Sequence, residues 1–124
     1  MNKIIYDDYK SKFSMEELYF IGGYITYETK VSTNGFSGVC NFCVSESDVK
    51  NIIGSIDLML ETLNGEIIIN DSESSAFLRV HFENLQDIFV SGQIGGDHRD
   101  NILRFKFKVD QTFLHNIKNA LLDY

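Results

Sequence analysis

The residues best equipped for chemistry in this 124-residue chain are two cysteines, three histidines and a spread of carboxylates. Cys40-Asn41-Phe42-Cys43 has the spacing of half a zinc site, but a structural zinc needs four ligands and no second cysteine pair exists. The motif also falls in a run that reads as a strand, where residues three apart point to opposite faces. His81, His98 and His115 stand far from one another in sequence and none has ligand spacing to another. Gly95-Gly96-Asp97-His98-Arg99-Asp100 is the densest polar cluster, yet Gly, Asp and Asn are equally what a wide hairpin turn requires. General acid–base work would need that His and a carboxylate to converge in a cleft on rigid elements. No phosphate-cradling glycine loop or nucleophile elbow occurs. The expectation is a protein without an enzymatic activity, a cofactor or a metal.

What remains is charge. The formal net charge is −7, and residues 41–100 hold three basic against eleven acidic residues, a net of −8. Residues 101–124 are net positive, with Arg104, Lys106, Lys108 and Lys118 against Asp110 and Asp123. A field of this sign repels nucleic-acid phosphates and anionic membrane surfaces, and it accelerates encounter with a basic protein partner. The carboxylates that would form such a face are Asp57, Glu61, Asp71, Glu73, Glu83, Asp87, Asp97 and Asp100. Asp57 and Glu61 are four apart on one helix face; the others fall in turns or beside them. A solvated surface explains each of these singly. Tyr24, Tyr27 and Phe89 are the aromatic residues that could anchor an interface if their faces are exposed.

The elements that would position these groups follow from periodicity. Composition is that of an ordinary globular domain, 44% hydrophobic and 23% charged, with no Pro and no repeat. One domain over 1–124 is expected, with residues 1–14 as a segment that could be loose, although Ile4, Ile5, Tyr6, Tyr9 and Phe13 argue for packing. Leu18 to Val31 reads as one long strand with Gly22-Gly23 as a bulge or bend, and Asn34-Gly35 as a hairpin turn before a strand over 36–44. Ser45 caps a helix whose Val49, Ile52, Ile53, Ile56, Met59, Leu60 and Leu63 form one stripe ending at Asn64-Gly65. Four short strands follow, over about 66–70, 77–82, 87–94 and 101–109, the last alternating Leu103, Phe105, Phe107 and Val109 with Arg104, Lys106 and Lys108. Asp110 caps a closing helix with Phe113, Leu114, Ile117, Ala120 and Leu121 inward. The fold class is α+β: a mostly antiparallel sheet of about six strands, in the order β-β-α-β-β-β-β-α, with two helices packed on its apolar face.

Several stretches together resemble the WapI-like immunity family, the small antitoxins paired with wall-associated polymorphic toxins of bacilli and their relatives. They are Gly35-Phe36-Ser37-Gly38, the helix end Leu60 to Gly65, Val90 to Gly96, and Phe105 to Leu114 with its Asp110-Gln111-Thr112. The resemblance spans about residues 18–122 and departs at Leu85-Gln86-Asp87, where a Gly-His-like turn is expected. It implies a non-enzymatic cytoplasmic protein that binds and neutralises the C-terminal domain of a cognate toxin, such domains being usually basic and often nucleases. Met1 to Asp8 reads as too short and too acidic for a signal-peptide core, which together with only two cysteines leads to the expectation of a reduced compartment. The alternative is a small-ligand-binding or adaptor module, since a sheet wrapped on a helix can hold an apolar molecule in its mouth.

Overall fold

A computed structural model describes residues 4–84, 86–96 and 101–124. They form eight strands and two helices: β1 (Ile4–Asp7), β2 (Ser11–Ile21), β3 (Tyr24–Thr33), β4 (Phe36–Ser45), α1 (Glu46–Thr62), β5 (Glu66–Asn70), β6 (Phe77–Phe82), β7 (Ile88–Ile94), β8 (Leu103–Val109) and α2 (Gln111–Leu122). The class is α+β, but the strands make two four-stranded antiparallel meanders, β1-β2-β3-β4 and β5-β6-β7-β8, and not one sheet of six. Each meander is followed by a helix.

Two local features account for the extra strands. Gly22 and Gly23 both have positive φ, 62° and 82°, and Ile21 pairs directly with Tyr24. That is a two-residue hairpin turn, the geometry two glycines permit without strain, so the single expected strand folds back on itself. Asn34-Gly35 makes a second such turn, as its sequence demands. At the N-terminus Ile5 and Phe13 are fully buried, and the Asp8 carboxylate accepts the N–H groups of Lys10 and Ser11 to turn β1 into β2. Residues 4–14 are thus part of the sheet.

Helix α1 starts where Ser45 Oγ accepts the Asp48 N–H (3.2 Å) and ends with Leu63 in a left-handed conformation, its N–H bonded to the Met59 carbonyl (2.8 Å). Val49, Ile52, Ile56 and Met59 are buried; Ile53 and Leu60 pack at the edge of the core. The Asp110 carboxylate caps α2 by accepting the Thr112 N–H. Helix α1 bridges the meanders, packing on β4 of the first and β5 of the second, whereas α2 crosses back to pack on β1 and β2 of the first. Phe113 of α2 meets Phe13 with ring centroids 5.4 Å apart, and the Tyr27 hydroxyl donates to the Leu121 carbonyl (3.1 Å). One continuous core results, and it draws on both sheets and both helices.

Candidate protein-docking face

On the first sheet, one face is buried and the other is solvated. Along β2 the inward positions are odd-numbered up to Met15, which pairs with Thr29 and through it with Cys40. A bulge between Glu17 and Tyr19 then inserts Leu18 as an extra residue, and the parity reverses. Phe20 now faces the buried side beside Ile25, while Tyr19 and Ile21 face outward with Thr26 and Tyr24. Without the bulge, Tyr19 and Ile21 would follow Phe13 and Met15 into the core. The consequence is a concentration of large apolar side chains on the outer face at one end of the sheet: Tyr19 is 50% exposed, Ile21 69% and Tyr24 45%, with Leu18 exposed at the bulge, while Phe20 lies on the other side with its ring against Tyr124. A cluster of exposed apolar side chains of this kind is what a monomeric surface ordinarily avoids.

The acidic β5–β6 turn is brought against this patch by two bonds to Cys43 of β4. The Asp71 carboxylate accepts the Cys43 N–H (3.0 Å), and the Ser72 N–H donates to the Cys43 carbonyl (2.9 Å). Tyr19, Ile21, Tyr24, Thr26, Asn41 and Cys43 thereby face Ser72 and Glu73 across an open groove of about 520 Å³. Glu73 is exposed and its carboxylate has no ion pair among the described residues. The groove can therefore offer aromatic faces and one free negative charge to a cationic or amphipathic partner.

The six of the eight carboxylates that lie in the described residues do not form one face. Asp71 is half-buried and spent on the turn, accepting also from the Glu73 N–H and Ser74 Oγ. Asp57 pairs with Lys118 of α2 (2.5 Å), joining the two helices, and Glu61 lies exposed one turn further along α1. Glu83 and Asp87 sit in the β6–β7 turn, at the opposite end of the second sheet from Asp71 and Glu73. Lys106 reaches Glu83 and Lys108 reaches Asp87, each at 2.7 Å. Hydrogen bonding from these lysines, with His81 aiding at Glu83 and Asn84 at Asp87, holds both carboxyls below their ordinary range. Asp97 and Asp100, with His98 between them, lie outside the described residues.

The outer face of the second sheet also departs from expectation. It collects Arg79, Arg104, Lys106 and Lys108, so the charged residues of the −8 segment and of the basic tail meet there and cancel. Arg79 pairs with Glu66 (2.7 Å), and Lys106 also covers the Phe89 ring at 4.6 Å. His81 is buried on this face, stacked on Phe89 with its Nε2 beside Glu83. Of the three expected aromatic anchors, Tyr24 is exposed, Phe89 is half-covered and Tyr27 is entirely in the core. Periodicity placed Tyr27 and Tyr24 in one strand without showing which face each took; their odd spacing puts them on opposite sides.

Cys40 and Cys43 do fall on opposite faces, the first buried and the second half-exposed. Among the described residues no group of three His, Cys, Asp or Glu side chains could hold a metal ion, and no helix is long and apolar enough to cross a membrane. Comparison with protein-family models, with curated proteins and with solved structures gives no match for this chain.

Proposed function

We propose that this protein is an immunity protein that binds a cognate basic toxin domain in the cytoplasm and neutralises it by occlusion, with no chemistry of its own. The observation that carries the reading is the exposed apolar end of the β2–β3 hairpin, Leu18 to Tyr24, faced by the unpaired carboxylate of Glu73. Burial of such anchors supplies most of the binding energy in a protein interface, and charge around them sets the on-rate. The overall −7 charge supports a basic partner; the dispersal and pairing of the carboxylates means that aromatic contact, rather than an acidic patch, dominates affinity.

The test is capture of a basic chain from the native lysate on the immobilised protein, followed by growth assays of that chain expressed alone and with this one. Neutralisation of a toxic partner is expected, with Tyr19→Ala plus Tyr24→Ala weakening the complex at least tenfold and Glu73→Gln slowing association at low salt only. A captured chain that is harmless when expressed alone refutes the immunity role. If a small molecule instead shifts the groove resonances and no protein is captured while the toxin is shown to be expressed, the ligand-binding alternative replaces it.

A further inference from the structure

We propose that the outer edge of β4 receives one extended polypeptide segment as an added strand, a segment with apolar side chains at alternate positions and a Lys or Arg at the end nearest Glu73. This goes beyond the immunity reading and does not depend on it.

The direction of the backbone groups is fixed by Cys43. Its N–H and C=O both point away from β3, to Asp71 and Ser72. In an antiparallel ladder alternate residues send both groups to the same side, and the β3–β4 register is regular from Tyr24 opposite Ser45 to Thr33 opposite Phe36. Ser37, Val39 and Asn41 therefore present their N–H and C=O groups along the same edge. Among the described residues no hydrogen bond from another segment reaches them there. The open stretch is five residues long, roughly 17 Å of strand with places for about six hydrogen bonds.

Proteins ordinarily blunt such an edge with Lys, Pro, a bulge or a covering element. The other edges follow that rule. Strand β8 carries Arg104, Lys106 and Lys108, α2 packs along β1 and donates from Asn116 Nδ2 to the Ile5 carbonyl (2.9 Å), and β5 has only five residues beside α1. Strand β4 has no charged residue, no Pro and no bulge in its ten residues.

The surroundings select the occupant. Phe36 is 67% exposed, Val39 54% and Ile102 53%, and a groove of about 610 Å³ runs between β4 and Asn101–Leu103. Apolar side chains on one face of an incoming strand would cover Phe36 and Ile102, whereas Val39, three residues from Phe36, stands on the other face of β4. At the Cys43 end the strand would meet the β5–β6 turn and the free Glu73 carboxylate, which calls for a cation at that terminus and would not attract an acidic one.

The experiment pans a displayed library of random twelve-residue peptides against the full chain, and the enriched peptides are resynthesised as probes. Alternating apolar sequences ending in Lys or Arg are expected, and N-methylation of alternate peptide amides should abolish their binding. Val39→Pro removes an outward donor and no β3–β4 ladder bond, so it should weaken binding at least tenfold while the fold persists. Asn41→Lys, which alters no backbone group, should do the same through a guarding charge and serves if the proline variant does not fold. The proposal is overturned if no peptide is enriched, or if enriched peptides bind both variants unchanged. It is equally overturned if sedimentation shows a wild-type dimer that Asn41→Lys dissociates, since a second copy would then own the edge. Loss of toxin neutralisation alone would touch only the immunity reading.

Discussion

Replacing Asp71 by alanine separates a structural carboxylate from an interfacial one. Its Oδ1 accepts from the Cys43 and Glu73 amides at 3.0 and 3.2 Å, and its Oδ2 accepts from Ser74 Oγ at 2.5 Å. The Cys43 amide would lose its partner at a half-buried position, a cost of about 1–2 kcal/mol, and the bonds from the Ser74 hydroxyl and the exposed Glu73 amide would add a few tenths each. A total of about 2 kcal/mol corresponds to a fall in Tm of roughly 8 °C in a chain of this size, taking about 2.1 cal/mol/K of unfolding entropy per residue. Asp71→Asn can keep the Oδ1 acceptor and lose the Ser74 bond, and should cost only the few tenths of a kcal/mol assigned to that bond. Scanning calorimetry gives both values, and amide exchange at Cys43 should accelerate in the alanine variant alone. Glu73→Gln, two residues away, should leave Tm unchanged within about 1 °C. If Asp71→Ala also melts within about 1 °C of the parent, the Ser72–Cys43 bond suffices to hold the turn and the clamp is refuted.

Two glycine substitutions should move stability in opposite directions. A Cβ at Gly92 would lie 2.2 Å from the Phe77 carbonyl oxygen, so Gly92→Ala should cost about 3 kcal/mol or more and deplete soluble protein. Gly54 lies on the exposed face of α1 with nothing within 4 Å, and Gly54→Ala should raise stability by about 0.8 kcal/mol in urea titrations. The ion pairs of the second sheet predict an acid dependence. Glu66, Glu83 and Asp87 all have folded-state pKa values lowered by Arg79, Lys106 and Lys108 respectively, so the unfolded chain binds their protons first. Their stabilisation is present above the ordinary carboxylate values of 4.5 and 3.8 and is lost as pH falls through the lower folded values. The triple amide variant should therefore show a shallower fall of the urea midpoint between pH 5 and pH 3, and the difference should shrink in high salt because these groups are exposed. An unchanged slope at low salt would refute the assignment.

The elements whose signals are local were legible in the residues. Ser45 and Asp110 cap the two helices, Asn34-Gly35 makes its hairpin, and the alternation in Leu103–Val109 splits that strand into one dry and one wet face. What the residues left open is what depends on a single register step. Gly22-Gly23 suits a bulge and a hairpin equally, and only the pairing of Ile21 with Tyr24 decides between them. The return of α2 to the first meander has no local signal, because an apolar stripe does not record which sheet it covers.

The candidate docking face was hidden for the same reason. A period of two carried from Phe13 and Met15 assigns Tyr19 and Ile21 to the core, and one bulged residue, Leu18, reverses them. Charge misled in the complementary direction. Summed along the chain, residues 41–100 look like an acidic surface, but the sheet sets Arg79 beside Glu66, and the neighbouring strand brings Lys106 and Lys108 to Glu83 and Asp87. Asp57 is met by Lys118 and Asp71 by three donors. Glu73, by contrast, keeps an exposed carboxylate with no ion pair among the described residues, and it stands beside the exposed tyrosines. A long-range negative field can still steer a basic partner inward, because steering depends on net charge and not on which carboxylates are paired. Under the proposed function, specific contact would be made where apolar area and an unpaired charge coincide, as they do among the described residues at the groove between the β2–β3 tip and the β5–β6 turn.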